Sequence, residues 1–146
     1  MTNRIVQIAK AEIGYVEKPV NLTKYGEWFG LDGEPWCGMG VSWVYFMADK
    51  PLPNIGFSKG FAGCQTAVKY FRAKGKIVEI PQEGDIVFFA FKKPGVYNHC
   101  GIFVQPSERT GYFESIEGNT SLASDHNGGS VMMRTRKYEG CVFVRP

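Results

Sequence analysis

The sequence predicts an α+β fold, with helices first and an antiparallel sheet after them. Apolar residues recur at helical spacing as far as residue 74 and with a period of two from residue 86 onward. Aromatic residues make up 14% of the chain (11 Phe, 7 Tyr and 3 Trp) while leucine is scarce, a mix that favours strands over a helical bundle. The 146 residues are 44% apolar and include 18 glycines, which fits one domain, 1–146, with enough apolar mass to bury a core.

Each element has its own signal. In residues 3–13, Ile5, Ile8, Ala9 and Ile13 recur at helical spacing, with Thr2 or Asn3 as the cap and Gly14 as the stop. A short helix spans 22–29 and ends at Gly30, and a buried helix spans 37–48. PLPNIGFSKG at 51–60 is a loop. Residues 63–74 form another helix, with Cys64, Ala67, Val68 and Phe71 on one face and Gly75 after its end. PQEGD at 81–85 is a turn, IVFFAF at 86–91 a buried strand, and 97–104 and 111–117 further strands. SDHNGGS at 124–130 is a flexible turn, and 131–138 and 141–145 close the sheet. No internal repeat, low-complexity tract or linker interrupts the chain.

The composition excludes several classes. A net charge of +3 gives no nucleic-acid footprint, although it suits polyanionic surfaces. No apolar run approaches the roughly 20 residues of a membrane helix. Gln7, Lys10, Glu12 and Glu17 break the N-terminal stretch, so it has no signal-peptide core, and the expectation is synthesis in the cytoplasm. The four cysteines, at 37, 64, 100 and 141, form no C-x-x-C pair and suggest neither a zinc ribbon nor a disulfide scaffold. Cys64, Cys100 and Cys141 read as core or strand filling.

Cys37 stands apart. Pro35 precedes the helix, as proline does at helix starts, and puts Cys37 at the N-terminus, against unpaired N–H groups and the positive end of the dipole. That position favours the thiolate. Val41, Val44 and Ala48 anchor the same face, while Gly38 and Gly40 weaken the first turns and point to a close approach there. A free cysteine is also a common small core residue, so a nucleophile here requires a base.

The chain has two histidines. His126 lies in the polar loop and reads as solvated. His99 lies in a strand pattern, sharing a face with Tyr97, Gly101 and Phe103. Centring the hairpin turn on Glu108 sets His99 opposite Glu117 and Tyr97 opposite Asn119. A carboxylate across the ladder fixes the imidazole tautomer and favours its charged form. The register is assumed, and a one-residue slip turns Glu117 to the other face. His99 and Cys100 are adjacent and point to opposite faces, so one metal cannot take both without distortion.

PWCGMGVSW, NHCGIF and IEGNTS, with GDIVFF between the first two, resemble the CHAP domains. These are papain-like cysteine peptidoglycan hydrolases found in phage endolysins and bacterial autolysins. The resemblance covers the chain from about Asn21 to the last strand and implies a papain-like arrangement. It implies that Cys37 is the nucleophile, His99 the general base, and Glu117 and Asn119 the groups that orient the histidine. Tyr25, in TKYGEW, matches a tyrosine near the oxyanion, and Trp36 a wall of the substrate groove. No cofactor is implied. Some relatives hold calcium before the cysteine, but Asp32 and Glu34 are too few for the six to eight oxygens calcium usually takes, so no metal is expected. The implied partner is bacterial peptidoglycan, reached by a monomer after release or within a phage particle. No wall-binding module is visible, so targeting falls to the domain, its charge or a separate wall-binding chain.

Two other classes stay open. A glycosidase would use Glu117 as general acid with a second carboxylate about 5–10 Å away, for which Asp125 is conceivable. A non-catalytic wall-binding or structural phage module would keep the fold without the chemistry.

Overall fold

A computed structural model describes residues 3–121, 124–125 and 127–146. Thr2 and His126 fall outside the described residues, and with them the alternative cap of the first helix and the expectation of a solvated imidazole. The elements are α1 (Arg4–Ala11), α2 (Lys24–Phe29), α3 (Cys37–Met47), α4 (Cys64–Ala73), β1 (Ile77–Val78), β2 (Ile86–Phe89), β3 (His99–Pro106), β4 (Tyr112–Thr120), β5 (Ser130–Lys137) and β6 (Val142–Val144). The fold is therefore α+β, with helices preceding an antiparallel sheet. The sheet order is β1-β6-β2-β3-β4-β5. β1 was not expected. It is a two-residue edge piece paired with β6, too short to show a period.

Local chemistry sets the helix ends. Asn3 Oδ1 accepts from the N–H groups of Ile5 and Val6, at 2.9 and 3.3 Å, and starts α1. Thr23 Oγ1 accepts from Gly26 N at 3.0 Å and starts α2, which Gly30 ends in the left-handed conformation.

The helices cover one face of the sheet. Val6, Met39, Phe61, Val68, Phe88, Cys100 and Ile102 belong to the core between them. Val87, Phe89, Phe103, Phe113 and Phe143 form a smaller cluster on the opposite face. Because both faces are covered, all four residues of β2 are buried, which explains its unbroken apolar run. No helix among the described residues is long and apolar enough to cross a membrane.

The hairpin register differs from the expectation. Ile102 pairs with Ile116 and Phe103 with Ser115, a register that sets Gly101, not His99, opposite Glu117. The turn falls later because β3 runs on to Pro106 and Ser107 N bonds to Tyr112 O at 2.9 Å. The shift is two residues, so Glu117 stays on the face of His99.

Candidate active site

Three elements bring the site together. α3 begins at Cys37, and its N-cap Trp36 makes no side-chain cap, so the first-turn N–H groups remain at the end beside the sulfur. A Cβ at Gly38 would lie 2.8 Å from Ala62 O and 3.0 Å from the Phe61 ring. The close approach expected at this glycine is therefore that of the 61–62 segment. Ser42 Oγ fastens it, donating to Gly38 O at 2.9 Å and accepting from Phe61 N at 3.2 Å. This packing carries the start of α4, and with it Cys64, to the start of α3. The Sγ atoms of Cys37, Cys64 and Cys100 all lie within 4.8 Å of one another.

His99 is the first residue of β3, paired with Phe89. Its ring lies 5.7 Å from those of both Phe89 and Phe91. Nε2 meets Glu117 Oε1 at 2.8 Å. Nδ1 has no hydrogen-bond partner among the described residues, and with Nε2 taken by Glu117 it is the ring nitrogen available to the neighbouring Cys37. The network assigns the tautomer: Nε2–H donates to the carboxylate and Nδ1 serves the thiol.

Glu117 is fully buried and fully engaged. Besides His99, Oε1 accepts from Arg136 Nη2 at 2.6 Å, and Oε2 accepts from Arg136 Nε at 2.9 Å and from Ser115 Oγ. The fork of Arg136 is completed by Nη1 on Asp125 Oδ1 at 2.9 Å, where Arg134 Nη2 also binds at 2.9 Å. The Arg136 guanidinium lies 4.8 Å from the centre of the Phe91 ring, in cation–π range. The site is thus a chain of groups running Cys37, His99, Glu117, Arg136, Asp125.

The electrostatics follow that chain. Hydrogen bonds from the Cys100 and Cys64 thiols hold Cys37 well below the ordinary thiol range against the cost of burial, and His99 adds to the effect. Burial pulls His99 down, but the bonds and charges of Cys37 and Glu117 prevail and raise it to about 9. Burial pushes Glu117 up, and Arg136 and His99 overcome this and hold it below the usual carboxylate range. A thiolate, an imidazolium, a carboxylate and a guanidinium alternate in sign, which is how so many buried charges coexist.

Cys37, His99 and Glu117 therefore come together. Cys37 keeps 5% of its surface exposed, whereas His99 and Glu117 keep none. Asn119 lies two residues beyond Glu117. The chain does not stay extended there: Asn119 has φ 55°, its backbone O accepts from Gly128 N at 2.9 Å, and its Nδ2 lies 3.5 Å from Asn127 Oδ1. Glu117 makes the bond to the ring nitrogen Nε2.

Tyr25 and Trp36 are packing. Their rings stack at 5.4 Å, Tyr25 O–H donates to Glu12 at 2.7 Å, and Trp36 Nε1 donates to Glu17 at 2.9 Å. Trp36 is 0% and Tyr25 1% exposed, so both rings lie in the core. Asp32 Oδ1 accepts from the N–H groups of Thr23 and Gly33, at 3.1 and 3.2 Å, which commits that oxygen to its own loop.

Sequence reasoning missed Arg136 and the sulfur cluster. Arg134 and Arg136 stand two apart on a strand, hence on one face, and that pattern asks for a carboxylate on the neighbouring strand. Cys64 and Cys100 gave no local signal, because they reach Cys37 through tertiary packing, Cys64 through the close approach at Gly38 and Cys100 from β3.

No protein-family model matches the chain, and no curated protein does.

Proposed function

We propose that this chain is a papain-like cysteine hydrolase of the CHAP type, cutting an amide bond in bacterial peptidoglycan. The observation that carries the reading is the His99 ring held by Glu117 through Nε2, with Nδ1 left for a thiol at a helix N-terminus. The wall substrate rests on the resemblance of PWCGMGVSW, NHCGIF and IEGNTS to the CHAP pattern.

In this mechanism the Cys37 thiolate attacks the carbonyl carbon of an amide in the stem peptide or its link to the sugar. The carbonyl π pair moves onto oxygen, and backbone N–H groups at the start of α3 stabilise that oxyanion. His99 gives its Nδ1 proton to the nitrogen of the leaving amine as the C–N bond breaks. Water, deprotonated by Nδ1, then attacks the thioester and releases the carboxylic acid and the thiolate. Glu117 holds the ring in position throughout, and Arg136 holds Glu117.

The surroundings of Glu117 do not favour the glycosidase reading. A general acid needs a raised pKa and a proton to give, whereas the Arg136 fork keeps this carboxyl low and ionised.

The test is digestion of purified peptidoglycan with analysis of the products. The wild-type chain releases new amines without new reducing sugar ends, and Cys37→Ala and His99→Ala each remove nearly all turnover, because the two act as one unit. Wild-type wall clearance by Cys37→Ala overturns the proposal. Reducing ends without amines would transfer the case to a glycosidase.

A further inference from the structure

The thiol hydrolase needs one sulfur, yet three meet at this point. Cys37 opens α3, Cys64 opens α4, and Cys100 is the second residue of β3. Their Sγ atoms lie within 4.8 Å of one another. Around a tetrahedral zinc with Zn–S near 2.3 Å, sulfurs stand roughly 3.8 Å apart, so the three need to close by about 1 Å at most. None of the three is in a disulfide.

We propose that Cys37, Cys64 and Cys100 form a three-thiolate site for a soft d10 cation, zinc or cadmium.

The surroundings suit such a charge. A dication with three thiolates carries one net negative charge. Two helix N-termini face it, those of the 11-residue α3 and the 10-residue α4, and both begin on a ligand. His99 stands beside Cys37, held in place by the Glu117–Arg136 chain. The donor set is all sulfur, which selects thiophilic metals over magnesium or calcium. The ligand atoms that meet are the three sulfurs, and His99 is not in that group. The fourth corner of the tetrahedron is left for water or a solvent anion. Cys141 lies far along the chain in a different setting, hydrogen-bonded to Lys137 O at 3.3 Å, and takes no part.

Binding uses the sulfur that the proposed hydrolase uses as nucleophile. In that respect the inference rests on the proposed function: the metal-loaded chain is its silenced form, and stripping the metal restores it. The site itself rests on the sulfur geometry alone.

The test is a titration of the reduced, metal-free full chain with Cd2+ or Co2+, followed by absorbance. The expected result is one equivalent bound, with a thiolate-to-metal charge-transfer band and, for cobalt, the visible bands of a tetrahedral site. Cys64→Ser and Cys100→Ser each weaken binding on the order of 100-fold, Cys141→Ser leaves it unchanged, and His99→Ala changes it less than either ligand loss. Should the cysteine variants fail to fold, alkylation of the wild-type chain with peptide mapping gives the answer: bound cadmium protects Cys37, Cys64 and Cys100 and leaves Cys141 open. Absence of a thiolate band, or protection that does not extend to Cys64 and Cys100, overturns the site. Metal binding without any wall cleavage by the stripped chain would leave the site standing and remove the hydrolase, so the two failures are distinct.

Discussion

Glu117 reaches the Nε2 of His99 at 2.8 Å by crossing over Gly101, the residue that faces it in the neighbouring strand. A Cβ on Gly101 would lie 2.7 Å from Glu117 Cγ and 2.8 Å from Ile116 O. The glycine therefore sets the path of the carboxylate as well as fitting the sheet. It also explains why a residue two places off the expected register still serves His99: the contact is diagonal, and an absent side chain opens the diagonal.

Gly101→Ala is expected to cost about 1–3 kcal/mol of stability, because one of the two clashing atoms is backbone and cannot turn away. Turnover falls with it as Glu117 leaves Nε2. Gly40→Ala is the contrasting substitution. Its Cβ would meet only Trp36 Cε3, at 3.9 Å, inside a helix. It is expected to stabilise the fold by about 0.5–1 kcal/mol. Urea unfolding of the two variants beside the wild type checks both signs, and a stable Gly101→Ala protein with unchanged turnover would refute the first.

The alternating charges give turnover a bell-shaped dependence on pH. The imidazolium of His99, raised to about 9, is the donor to the leaving amine, so kcat/KM declines as pH climbs past about 9. The acid limb lies where Cys37 loses its thiolate, below the ordinary thiol range. Glu117→Gln removes a charge that raises His99, so the basic limb moves to lower pH. Stability carries the same signs. His99 is raised in the folded chain, so its contribution is complete below the ordinary 6.5 and is lost as pH rises through about 9. Glu117 is lowered, so its contribution is present above the ordinary 4.5 and is lost as pH falls through its folded value. A pH–rate profile of Glu117→Gln with an unmoved basic limb would contradict the coupling.

Arg136 is expected to matter for folding as much as for the site. Its guanidinium makes two bonds to a carboxylate with no exposure to water. Arg136→Met leaves that carboxylate with His99 and Ser115 alone and is expected to cost about 3 kcal/mol or more. Adding Glu117→Gln to Arg136→Met removes the stranded charge, so the double variant should be less destabilised than the two single losses together. Chemical denaturation of the four proteins of this cycle measures the coupling, and simple additivity would mean that the pair is not what holds this part of the sheet.

The local elements were legible because each rests on a periodic or short-range signal, whereas the pairing of Cys37 with His99 was expected from the resemblance alone and the side of Glu117 from strand alternation. α3 follows from Pro35 and the apolar face behind Cys37, and β3 and β4 follow from alternation. The hairpin register was not legible, since QPSERT permits more than one turn position and a bulge between Phe103 and Gln105 shifts the ladder. Trp36 illustrates a different limit. A tryptophan beside a nucleophile reads equally as groove or core, and the deciding facts are non-local: Gly118, whose Cβ would lie 2.7 Å from the Trp36 ring, and Glu17, which takes its N–H. The sulfur cluster lies beyond sequence reading for the same reason.

The reactivity of the cysteines separates chemistry from exposure. Cys141 is the most exposed of the four, yet burial raises its pKa to about 12. Cys64 is raised as well, a lowering bond with Cys100 being outweighed by the bond to Cys37 and burial, and Cys100 is raised by burial and then by its bond to Cys37. Cys37 alone is lowered, with 5% of its surface open. Because the thiolate is the reacting species, iodoacetamide near neutral pH should label Cys37 first, by about tenfold or more over Cys141. His99→Ala should narrow that margin, since one of the groups that lowers Cys37 is gone. Time-resolved labelling with peptide mapping reads all four sites at once. If Cys141 reacts first, exposure governs these thiols, and the activated sulfur at the start of α3 is lost as a premise.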